Sequence, residues 1–116
     1  MGALITRILF ATDFSPCAER AFEYALWLAS RWKAELIGMT VLEFYPGMDP
    51  EYPVNKLYLD HLREEAIRRL EAVRAKAAAG GQSFSTRIDL GIPSQAIQTA
   101  AEATGANLLV VGTHGR

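Results

Sequence analysis

A chain of 116 residues, half of them hydrophobic and 22% charged, has the size and make-up of one globular domain. Its formal net charge of −1 gives no electrostatic reason to bind nucleic acid or an anionic membrane, so any phosphate recognition has to be local. The lone cysteine, Cys17, excludes an internal disulfide and a cysteine-based zinc centre. No apolar run reaches the ~20 residues of a membrane span. The mixed segment Met1 to Arg7 is too short for a secretory signal, so a cytoplasmic protein is expected.

Leu4 to Ala11 is a short apolar run rich in β-formers, the pattern of a strand buried on both faces. Ser15-Pro16 then reads as an N-cap and first helical residue. Behind it Ala18, Ala21, Phe22, Ala25, Leu26, Ala29 and Trp32 recur at three- and four-residue spacing, giving one apolar helix face. Cys17 falls in the first turn of that helix and reads as a small side chain there, ahead of a reactive thiol. A second strand spans Glu35 to Leu42. Phe44 to Val54 carries Pro46, Pro50, Pro53 and Gly47 and is expected to be a loop.

From about Asn55 to Ala79 the spacing predicts a long helix, with Leu59, Leu62, Ala66, Leu70, Val73 and Ala77 inward. Its mixed-sign charges, Arg63, Glu64, Glu65, Arg68, Arg69, Glu71, Arg74 and Lys76, read as a solvated face. Leu57 and Tyr58 are surplus apolar positions available to a partner. Gly80-Gly81 ends this helix. Phe84, Thr86, Ile88 and Leu90 alternate with polar residues, which suggests a strand near the edge of the sheet. Gly91-Ile92-Pro93-Ser94 turns into a helix carrying Ala96, Ile97, Ala100 and Ala101 inward and stopping at Gly105. Leu108 to Val111 is the fourth strand.

Alternating apolar strands and helices imply an α/β fold with a doubly wound, open parallel sheet, Rossmann-like, for which the common strand order 3-2-1-4 is expected. The first and fourth strands are then neighbours whose helices leave on opposite faces, and ligands bind beyond their carboxyl ends. The turns at that point are Ala11-Thr12-Asp13-Phe14-Ser15 and Gly112-Thr113-His114-Gly115-Arg116, with Val41 ending the adjacent strand. Gly112 and Gly115 permit positive φ and a close approach of backbone amides to an anion. Arg116 offers a planar fork for phosphate. Asp13, acceptor-only when ionised, suits a ribose hydroxyl, a base amino group or a bridging metal, and equally a place beside a helix N-terminus. Neither a P-loop nor a dinucleotide-binding glycine fingerprint is present. His61 and His114 lack partners at metal spacing, and no nucleophile is evident for catalysis.

Ile8-Leu9-Phe10-Ala11-Thr12-Asp13-Phe14-Ser15, Gly91-Ile92-Pro93 and Val110-Val111-Gly112-Thr113-His114-Gly115-Arg116 together resemble the universal stress protein family over the whole chain. Gly112-x-x-Gly115 is similar to the first half of the family's ATP-binding motif. The resemblance implies that Ala11, Thr12, Asp13 and Val41 line the adenosine part of a nucleotide site. It sets Gly112, Thr113, His114, Gly115 and Arg116 toward the ribose and phosphates. It implies ATP, or ADP or AMP in its place, with Mg2+ carried by the nucleotide, and a homo-oligomer in the full-length form. Ala11 stands where family members often have proline. The second half of the motif, the last helix and the family's fifth strand are absent, so a C-terminally truncated single domain over residues 1–116 is expected. The function expected is a stress-response module binding adenine nucleotide. A protein-interaction module of the same fold that binds no nucleotide is the alternative, and a slow ATPase the second alternative.

Overall fold

A computed structural model describes residues 4–44, 47–49 and 51–112. Its elements are β1 (Arg7–Thr12), α1 (Pro16–Trp32), β2 (Glu35–Glu43), α2 (Pro53–Ala79), β3 (Phe84–Gly91), α3 (Pro93–Thr104) and β4 (Leu108–Gly112). The strands form one sheet in the order β3-β2-β1-β4, every pairing parallel, with Leu9 opposite both Ile37 and Leu109. That is the expected 3-2-1-4 order, the common one for a doubly wound sheet.

Each helix begins where local chemistry frees a backbone donor. Ser15 Oγ accepts the Ala18 N–H at 3.2 Å, and Pro16 follows at the position where a missing N–H costs nothing. Removing this cap in Ser15→Ala is expected to lower stability by about 1 kcal/mol, a fall of a few degrees in a thermal melt. An unchanged melting temperature would show that the cap contributes nothing. Pro53 and Pro93 open α2 and α3, neither with a side-chain cap. α2 therefore starts two residues earlier than the apolar spacing suggests, because Pro53 opens a helix as readily as it closes a loop.

Two apolar layers enclose the sheet. On one face Ile8, Phe10 and Leu36 pack with Phe22, Ala25 and Ala29 of α1 and with Ala77 of α2. On the other, Leu9, Ala11 and Met39 pack against Ala100, Ile97 and Ala101 of α3. Phe84 crosses to the first layer over Gly38, where a Cβ would lie 2.1 Å from its ring. β3 occupies the edge, as its alternation suggests, though the alternation is imperfect: Thr86 and Leu90 are exposed. On the α3 side of the same strand Arg87 and Asp89 are half-buried as an ion pair at 2.8 Å.

The expected first strand begins at Arg7 rather than Leu4. The reason is Asn107, whose Oδ1 accepts the N–H groups of Thr6 and Arg7, each at 3.1 Å, while Nδ2 donates to Leu4 O at 3.0 Å. Leu4 and the N–H of Thr6 are thus engaged by a side chain, while Thr6 O still accepts the Glu35 N–H at 2.9 Å. Arg7 continues this polar knot, donating to Thr104 O and to Glu35 Oε1.

Candidate functional site

At the carboxyl ends of β1 and β2 lies an open cavity of about 880 Å³. Its floor is Ala11, Thr12 and Asp13 of the first turn with Thr40 and Val41 of β2, and Val111 of β4 borders it. α2 closes one side with Tyr58, Leu62, Glu65 and Arg69, and the start of α3 contributes Pro93, Ser94 and Ile97. Such a volume is ample for a nucleotide-sized ligand.

The first turn is tightly determined. Thr40 Oγ1 donates to Thr12 O at 2.8 Å, tying the ends of β1 and β2. Thr12 Oγ1 accepts the Phe14 N–H at 2.9 Å, and Asp13 Oδ1 accepts the Ser15 N–H at 3.0 Å. These bonds hold Phe14 at φ 63°, a left-handed conformation that costs a bulky L-residue about 1 kcal/mol or more. The Asp13 N–H donates to Gly112 O at 3.3 Å, joining this turn to the end of β4. Asp13 therefore serves the start of α1 and the cavity together, so the two readings of this carboxylate are compatible.

The structure brings Ala11, Thr12, Asp13 and Val41 to one cavity. Thr113, His114, Gly115 and Arg116 lie outside the described residues. Gly112 departs from the expectation in its backbone conformation. It does not adopt positive φ; it is glycine because β4 passes so close to α1 that a Cβ would lie 2.5 Å from Ala18 Cα.

The solvated reading of the α2 charges holds for Arg63, Glu64, Arg68, Glu71 and Arg74, all exposed. On that outer face Arg74 donates to Glu71 and holds its carboxyl below the ordinary carboxylate range. The reading holds also for Lys76 and for Arg69, which is exposed yet borders the cavity, while Glu65 is half-buried at the cavity wall. Arg69 lies three residues beyond Ala66 and seven beyond Leu62, so it flanks the buried stripe, and that spacing was the available signal. Its guanidinium carbon sits 5.6 Å from the centre of the Phe14 ring, and Nη2 is 3.2 Å from Glu65 Oε1. Tyr58, expected as a surface for a partner, is half-exposed and also forms part of the cavity wall.

The site thus offers an aliphatic floor, carboxylates at Asp13, Glu43 and Glu65, and one guanidinium on its described wall. That combination suits a flat ring with polar edges joined to hydroxyl groups. No helix among the described residues is long and apolar enough to cross a membrane.

Known proteins share this fold. A structure from the universal stress protein family of Burkholderia pseudomallei is 31% identical, superposes with a TM-score of 0.82 and is covered over 86% of its length by 98% of this chain. Universal stress protein MJ0531 of Methanocaldococcus jannaschii is 29% identical over 97% of this chain and 67% of its own. A solved universal stress protein in complex with cAMP is 25% identical with a TM-score of 0.63, over 93% of this chain and 71% of its own. Residues 5–116 match the universal stress protein family, and the chain belongs to it.

Proposed function

We propose that this chain is a stress-response regulatory module that binds an adenine nucleotide in the cavity at the carboxyl ends of β1 and β4. The observation that carries this reading is the junction of the Thr12-Asp13 turn with the end of β4, through Asp13 N–H and Gly112 O, beside a cavity of nucleotide size. The relative in complex with cAMP supports an adenine ligand. In this reading Ala11 and Val41 pack on the base, Thr12 and Asp13 face the base and ribose, and the turn from Gly112 to Arg116 receives the phosphates. The ligand is ATP with its Mg2+, or ADP or AMP.

One observation favours a protein-interaction module instead. Tyr24 and Trp27 stack on the outer face of α1, 6.2 Å apart and each more than half exposed.

Calorimetric titration with Mg-ATP separates the two. The 116-residue chain is expected to bind one ATP saturably. Asp13→Ala combined with Gly115→Val is expected to weaken binding roughly tenfold or more, the scale of a lost charged hydrogen bond. Unchanged affinity in the double variant, or no saturable binding to the parent chain at millimolar ATP, overturns the nucleotide reading.

A further inference from the structure

We infer that Arg69 is the stacking surface for the nucleotide's base and sets a preference for purines, an inference that rests on the nucleotide reading above. The argument begins with the order of the sheet. α2 packs over β2 and β3, whereas β4 lies on the other side of β1. A ligand with phosphates at the turn after β4 therefore points its base across the end of β1 toward α2. The α2 wall it meets contains Arg69.

Arg69 is held for that role. The Phe14 ring backs the guanidinium at 5.6 Å, and Phe14 is itself fixed by Thr12 Oγ1 and Asp13 Oδ1 through the hydrogen bonds of the turn. Glu65 Oε1 anchors the guanidinium edge at 3.2 Å, while Glu65 Oε2 accepts from Arg68 at 2.7 Å. The Arg69 side chain remains 53% accessible. Its charge is already opposed by Glu65, which reduces its pull on a phosphate. Its planar face is not diminished in this way, and a weakly hydrated guanidinium stacks readily on an aromatic ring. A purine presents more ring to that face than a pyrimidine does. Arg69 thus joins the site from a helix distant in sequence, and it reads the base rather than the phosphates.

The test compares ATP with UTP, which share ribose and triphosphate and differ in the base. Affinities of both for the full chain are measured alongside Arg69→Met and Arg69→Lys. Both variants are expected to lose about five- to tenfold for ATP and less than about twofold for UTP, because a lysine keeps the charge without the plane. Melting temperatures of the free variants are expected to stay within about 3 °C of the parent, as for other surface substitutions. Equal losses for ATP and UTP make Arg69 a phosphate contact and overturn the inference. So does full ATP affinity in Arg69→Lys, or in Arg69→Met while the parent binds ATP. If the parent binds neither nucleotide, the nucleotide reading itself fails, a result distinct from the others.

Discussion

Phe10→Ala is expected to lower the unfolding free energy by about 3 to 5 kcal/mol, the range for removing a buried aromatic ring. Phe10 lies on β1, which is paired on both sides, and only 1% of it is exposed. Its ring packs 5.7 Å from Phe22, which in turn meets Phe84 edge-on at 6.2 Å. Truncation therefore removes one end of a chain of rings joining β1, α1 and β3. The neighbourhood has little means of collapsing around the loss. A second cavity of about 240 Å³ between α1 and α2 already touches Phe10, Phe22 and Val73, so the new void would add to an existing one. Urea unfolding followed by circular dichroism is the measurement. A midpoint shift worth less than about 1 kcal/mol would mean that the ring is not the centre of this layer.

Gly112→Val should be nearly as damaging, by about 3 kcal/mol, and for the opposite reason. Here the site has too little room. An added Cβ would sit 2.5 Å from Ala18 Cα, 2.9 Å from Ala18 Cβ and 3.0 Å from Ala21 Cβ. The nearest atom is helix backbone, so α1 as a whole would have to move off β4, and overpacking of this kind costs about 1 to 3 kcal/mol for smaller insults. Valine favours strands, which works against the effect but on a scale of about 1 kcal/mol at most. Gly112→Ala should fall between parent and valine. A melting curve for Gly112→Val that overlies the parent's would show that the packing of β4 on α1 is looser than described.

These two positions also mark what sequence reveals and what it conceals. Phe10 was evident as core because local features govern it: an unbroken apolar run, then Ser15-Pro16 as helix punctuation. The same local signals mark the extents of α1, β2 and α3, and the order of the sheet is the common one for a doubly wound fold. Gly112 is legible as a required glycine, but the packing that requires it is not. Its requirement comes from Ala18, a residue near the other end of the chain, and no window of sequence contains both. Arg69 was concealed in a similar way. Among the eight charges named on α2 it shares with Arg63 and Arg74 a place flanking the buried stripe, and what sets it apart is its position beside the strained turn at Phe14 on another element. The floor of the cavity was legible because topology alone brings the carboxyl ends of parallel strands together. Its α2 wall was not, because it depends on how one helix lies across the sheet.

The amide side chain of Asn107 gives the molecule mechanical polarity. It stitches the amino ends of β1 and β4, with Arg7 extending the seam to Glu35 and Thr104. The cavity opens at the opposite rim, where the strands reach their carboxyl ends. That rim has ties of its own, Thr40 Oγ1 to Thr12 O and Asp13 N–H to Gly112 O, which involve no side-chain amide and no ion pair. Local opening in a protein follows the distribution of such ties. A ligand resting across Thr12, Val41 and Val111 would add to those ties from the outside.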